Sequence, residues 1–100
     1  MDKITQILKN ALAKYEGEAL NGYSYLTESL VHQMFTIVSV GEYKGKQITF
    51  TDLVVKIVGN KIVIIEDRNS DPFYEELLEA GIPREQIILA YAGEPVPDTA

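Results

Sequence analysis

The stretch from Gly59 to Leu89, GNKIVIIEDRNSDPFYEELLEAGIPREQIIL, leaves the backbone little choice. Val58-Gly59-Asn60-Lys61 sits between two apolar runs and predicts a two-residue hairpin turn, with glycine first to supply positive φ. Ile62-Val63-Ile64-Ile65 is apolar on both parities, which predicts a central strand covered on both faces or against a partner. Glu66 to Pro72 is an acidic loop. Asp71 suits a helix N-cap and Pro72 the first helical position, where a missing N–H leaves no bond unmade. Phe73, Leu77 and Leu78 give that helix an inward face, and Glu75 and Glu76 sit at the positive end of its dipole. Ala80-Gly81-Ile82-Pro83 reads as its stop, with Gly81 left-handed and Ile82 folding back onto Leu77 or Leu78. One turn at most fits Pro83–Gln86, and Ile87–Tyr91 reads as a last strand. The tail from Gly93 to Asp98 has prolines two residues apart and cannot be regular.

Upstream, Ile4, Ile7, Leu8, Ala11, Leu12 and Tyr15 form one stripe at helical period. Asp2 and Lys14 lie at the ends of that helix where their charges suit the dipole, and Gly17 and Asn21-Gly22 stop it. From Tyr23 the period changes to two, and β-branched and aromatic residues take over. One strand runs from Tyr23 towards Val31, His32-Gln33 interrupts, and Met34–Val40 is the next. Tyr43–Lys46 is a tight turn. The third run slips in phase: Ile48 and Phe50 share one face, whereas Leu53, Val55 and Ile57 have the opposite parity. A β-bulge or bend near Thr51-Asp52 restores the apolar face. Together these give one α+β domain over residues 1–100: an N-terminal helix, an antiparallel meander of about four strands, a second helix over Asp71–Ala80, and a final short strand.

Composition narrows the function. The chain has fifteen acidic and nine basic side chains, a formal net charge of −6, one histidine and no cysteine. Disulfides, thiolate metal sites and a cysteine nucleophile are therefore excluded. MDKITQILKN has no long apolar run, so no signal peptide is expected, no stretch approaches a membrane span, and a cytoplasmic location is the expectation. Gripping duplex phosphates takes a concentrated basic face, and these lysines are scattered, which argues against direct nucleic-acid binding. An acidic chain of this size fits better as the partner of a basic protein.

Asp52, Glu66, Asp67 and Asp71 could together hold a hard cation, but a solvated turn plus an N-cap accounts for the same residues. His32 lacks a second histidine or a serine nucleophile near it, so a catalytic triad has no support. The six tyrosines lack interleaved arginine and lysine and read as core or interface residues rather than base-stacking platforms. No catalytic, cofactor or metal residues are assigned. The candidate interaction surface is Glu66, Asp67, Arg68, Asp71, Tyr91 and Glu94. The Ile62–Ile65 strand and the tyrosines are compatible with a homo-oligomer.

The second half resembles the XisI family, the fdxN-element excision controlling factors found mainly in cyanobacteria. Members read roughly GKIWIQ-(E/R)D-x-T, an acidic helix, then LV-x-AG-(V/I)-P-(K/R)-E-D-IVL. The matching positions are Lys61, Ile62, Ile64, Glu66, Asp67, Ser70 in place of the threonine, Leu77, Leu78, then Ala80 to Glu85 and Ile87 to Leu89. Val38-Ser39-Val40-Gly41 resembles the family's strand ending in VGW, with Glu42 replacing the aromatic. Val63 stands where the family usually has tryptophan, and Tyr91 to Pro97 replaces a segment that tends to read FHPPEVR. The chain thus reads as a divergent or short-tailed member. The resemblance implies a non-enzymatic regulator that restrains or stabilises a nuclease-related XisH-like partner, as an antitoxin would. A DNA-binding accessory to site-specific recombination is the alternative, and a metal-dependent hydrolase a third.

Overall fold

The computed structural model describes residues 3–19 and 21–97. Its elements, in chain order, are α1 (Lys3–Ala13), β1 (Gly17–Ala19), β2 (Gly22–Ser29), β3 (Met34–Tyr43), β4 (Lys46–Val58), β5 (Lys61–Asp67), α2 (Phe73–Glu79) and β6 (Ile87–Leu89). Single 3-10 turns at Arg84–Gln86 and Ala90–Ala92 flank β6. The strands form one sheet in sequence order, β1-β2-β3-β4-β5-β6. The expected α+β class holds, with six strands among the described residues.

The strands differ from, or add to, the sequence expectation in several places. Gly17–Ala19, expected only as a helix stop, is a short edge strand paired with β2. The final strand is parallel to β5, because α2 carries the chain back across the sheet as a parallel connection requires. It also ends at Leu89 rather than Tyr91, where a left-handed Gly93 (φ 92°) closes the Ala90–Ala92 turn. β2 likewise ends at Ser29 instead of reaching Val31, and Gln33 (φ 52°) turns the chain into β3.

Other expectations hold. Ile37 pairs with Leu53 and Val38 with Thr51, so Asp52 is the extra residue of a bulge, as the phase slip required. The Gly59-Asn60 turn has its positive φ (63°) at glycine, and Val58 pairs with Lys61 across it. Lys44 and Gly45 both have positive φ, the signature of a type I′ hairpin turn. α2 stops as predicted: Gly81 N–H donates to the Leu78 carbonyl and Ile82 N–H to the Leu77 carbonyl, both at 3.0 Å, with Gly81 at φ 99°. A second bulge, at Ile65, was not visible in the sequence: Val54 pairs with Glu66 but Val55 with Ile64.

Leu8, Leu12, Phe73 and Leu77 of the helices meet Phe35, Ile37, Leu53, Val55, Ile62 and Ile64 in one core. Directly paired residues share a face, so Ile37 with Leu53 and Phe35 with Val55 mark the face that the helices cover. Full burial of each such side chain is worth about 1.5–3 kcal/mol. The alternate residues lie on the other face, over which no described helix packs. Val58 and Val63 are the exceptions there: they are 7% and 1% exposed. They lie beside a hollow of about 600 Å³ that Ala90, Val96 and Pro97 help to line. β5 is therefore covered on both faces at its centre, by helices on one side and the C-terminal segment on the other. The tail is irregular over Gly93–Pro97. Asp2 and Asp98 lie outside the described residues.

Candidate functional site

The acidic loop leaves β5 on alternating faces. Glu66 pairs with Val54 on the bare face, and Asp67 pairs with Leu53 on the helix side. Asp67 consequently turns inward. Its Oδ2 accepts the Phe73 N–H at 2.8 Å, and Oδ1 accepts from the Asn69 backbone at 3.0 Å and the Asn69 amide at 2.8 Å. This corrects the assignment of the helix start. The N-cap position is Pro72, with no side-chain cap of its own, and Asp67, not Asp71, satisfies the first free N–H of α2. A carboxylate six residues upstream reaches it because β5 points its end at the helix N-terminus. A charge-assisted bond there also benefits from the helix dipole.

The rest of the predicted surface divides similarly. Glu66 and Arg68 form an exposed ion pair at 3.5 Å, of little energetic worth. Asp71 is exposed. Glu94 is occupied: Oε1 accepts the Leu89 N–H at 2.8 Å and Oε2 the Arg84 guanidinium at 2.8 Å. Arg84 also donates to the Ile87 carbonyl at 2.7 Å, and its guanidinium lies 5.9 Å from the Tyr74 ring. Glu94 N–H in turn donates to the Leu89 carbonyl at 3.1 Å. This reciprocal clasp takes both polar groups of Leu89 and ends β6. The Leu89 N–H first and then Arg84 hold the Glu94 carboxyl below its ordinary value.

Tyr91 is exposed, and its hydroxyl is pushed up by partial burial and then by the charge of Asp67. Tyr15 packs edge-on against Phe73 at 5.5 Å, and burial, then Glu76, Asp67 and Asp71, raise its hydroxyl likewise. The fold thus brings the loop acids, the start of α2 and two tyrosines to one end of the molecule. Asp67 and Glu94 hold the backbone there; Glu66, Arg68, Asp71 and Tyr91 face solvent.

Two of the four acids of the cation-site alternative are engaged within the fold. Asp52 accepts a hydrogen bond from Ser39, which is bonded in turn to Ser24 at 2.7 Å, and Asp67 is committed to α2. Among the described residues no group of three or more His, Asp or Glu could hold a metal ion. His32 lies in the exposed turn after β2, where its backbone N–H meets Ser29 Oγ at 3.4 Å. The basic side chains are dispersed: Lys9 pairs with Glu28 at 3.3 Å, Lys14 with Glu76 at 3.1 Å, and Lys61 donates to the Glu85 carbonyl at 3.0 Å. Among the described residues no helix is long and apolar enough to cross a membrane.

Sequence reasoning missed the apolar surface beyond this end. Leu30 and Val31 are 68% and 88% exposed, and the adjoining hollow also takes in Ile65 and Val96. The available signal was the apolar pair Leu30-Val31 at the interruption between two strands, where a solvated turn is polar.

The chain is similar to known proteins over nearly its whole length. The family model described as XisI protein matches residues 1–97. The crystal structure of a XisI-like protein from Anabaena variabilis ATCC 29413 superimposes with a TM-score of 0.76 at 22% identity, covering 87% of this chain and 83% of that one. The structure of the fdxN element excision controlling factor XisI from the same organism gives 0.58 at 25% identity, covering 86% and 82%. No curated protein matches the chain.

Proposed function

The chain belongs to the XisI family, and on that premise we propose that it is a non-enzymatic accessory protein that controls excision of a DNA element through contact with another protein. The observation that carries this reading is the similarity, over 86% of the chain, to a protein described as an fdxN element excision controlling factor. The proposed partner is a nuclease-related XisH-like protein, and the mode of action is restraint or stabilisation of it. Charge supports a protein partner over DNA. The net charge is −6, and Lys9, Lys14 and Lys61 are spent on intramolecular contacts rather than gathered on a face. The contact side chains are the solvent-facing members of the acidic end, Glu66, Asp71 and Tyr91, held in place by Asp67 and Glu94.

Co-expression with an XisH-like protein tests the reading. The two chains are expected to co-purify, and Glu66→Lys with Asp71→Lys to weaken that capture by about tenfold or more while the fold is kept, since rim charges act on association. In gel shifts at low and moderate salt, the purified chain alone is expected to leave DNA unshifted. Salt-sensitive DNA binding by the chain alone would overturn the proposal in favour of a DNA-binding recombination accessory.

A further inference from the structure

On β2, β3 and β4 the bare face of the sheet carries its charges at opposite ends. Along β2, β3 and β4 the register sets successive rows: Glu42 with Gln47, then Tyr23 with Val40 and Thr49, then Tyr25 with Val38 and Thr51, then Thr27 with Thr36 and Val54, and finally Met34 with Lys56. Within these three strands the middle rows hold no charge; on the flanking strands Glu18 extends the Tyr23 row and Glu66 the Val54 row. Glu42 stands at one end of the three strands and Lys56 at the other. Neither Glu42 nor Lys56 has an ion pair among the described residues.

We infer that this face binds a second copy of the chain, sheet against sheet, about a two-fold axis lying across the strands at the level of Val38. Such an axis reverses strand direction, so the Met34–Lys56 row of one protomer falls over the Glu42–Gln47 row of its partner. Each Lys56 then meets Glu42 of the other protomer, and the interface has two identical ion pairs, as an isologous contact requires. Sheets packed face to face stand about 10 Å apart, a gap that a lysine and a glutamate reach across together. The same rotation carries the exposed Leu30–Val31 turn to the Tyr23 end of the partner's β2, which gives those side chains an apolar counterpart. Tyr23 and Tyr25, with rings 4.7 Å apart, supply broad contact area of low conformational entropy.

A different protein would have to carry the matching charge pattern by chance; a second copy carries it by symmetry. The three strands present a patch of roughly 25 by 15 Å, smaller than the ~800 Å² per partner of standard interfaces, a size typical of weak, transient contacts. Glu66 borders this face beyond Val54, but the dimer contact uses other side chains than the acidic end assigned above to the partner protein, and the two can fail independently.

Sedimentation velocity over roughly 1–500 µM decides it, a range that brackets a micromolar dissociation constant. The wild-type chain is expected to pass from monomer to dimer. Lys56→Glu and Glu42→Lys are each expected to raise the dissociation constant about tenfold, and the charge swap carrying both to return it to within about threefold. Val38→Lys, in the centre of the face, is expected to abolish association while circular dichroism and capture by the XisH-like partner stay unchanged. A monomer across the whole range overturns the inference, and so does a dimer indifferent to Lys56→Glu or a double variant no tighter than the singles.

Discussion

Glu66 and Asp67 are neighbours of the same chemistry with opposite fates, and the two faces of the sheet differ as they do. Asp67 falls on the helix side, where both carboxylate oxygens are consumed by the loop and the start of α2. Glu66 falls on the bare side and keeps only an exposed contact with Arg68. On the covered face, Leu53 and Ile37 are buried against α1 and α2; on the bare face, Tyr23 and Tyr25 remain 40% and 48% exposed. Side-chain alternation assigns each residue to one regime or the other. The covered face stores the stability, and the bare face is left open.

That contrast breaks most readily at its strongest point. Phe73→Ala, which empties a fully buried site between α2 and Tyr15, is expected to cost about 3–5 kcal/mol in urea unfolding. A cost below that of an ordinary surface change would mean that the helix face is not the stabilising one. Asp67→Ala should follow at about 1–2 kcal/mol, because the Phe73 N–H loses its acceptor. Glu66→Ala should stay within about 0.5 kcal/mol, and equal costs for the two acids would erase the distinction between them. Least costly of all, Val40→Thr on the bare face is expected to shift stability by less than about 0.5 kcal/mol under dilute, monomeric conditions.

The Arg84–Glu94 clasp sharpens the comparison through pH. The folded-state value of Glu94 lies below its ordinary 4.5. Its stabilising contribution is therefore full above that ordinary value and is lost as pH falls through the depressed one. Thermal unfolding followed from neutral pH down to about pH 3 should show a shallower acid decline for Glu94→Gln than for the wild type. An unchanged slope would mean that the clasp does not favour the charged carboxylate.

Local chemistry made much of the fold legible. The Gly59-Asn60 turn, the Gly81-Ile82-Pro83 helix stop and the α1 stripe are each complete within a few neighbouring residues. The Asp52 bulge was legible too, because Ile48 and Phe50 disagree in parity with Leu53 and Val55. The Ile65 bulge was not: where every residue of Ile62–Ile65 is apolar, a slip in phase leaves no trace. At the candidate site, the residue types were identifiable but their division of labour was not. Asp71 satisfied the local rule for an N-cap, yet Asp67 occupies the N–H because the β5–α2 geometry brings it there.

The sequence by itself determined the elements other than the short edge strand β1, most of their turns and the acidic balance, since these depend on backbone preferences within a few residues. It also carried the motifs that mark the XisI family. Only the tertiary structure decided that the last strand runs parallel to β5 and stops at Leu89, and that Glu94 is spent on closing it. The same is true of the face left without helices. These features depend on which groups meet across the fold, where a carboxylate's partners are set by the position of a distant strand or helix rather than by its neighbours in the chain.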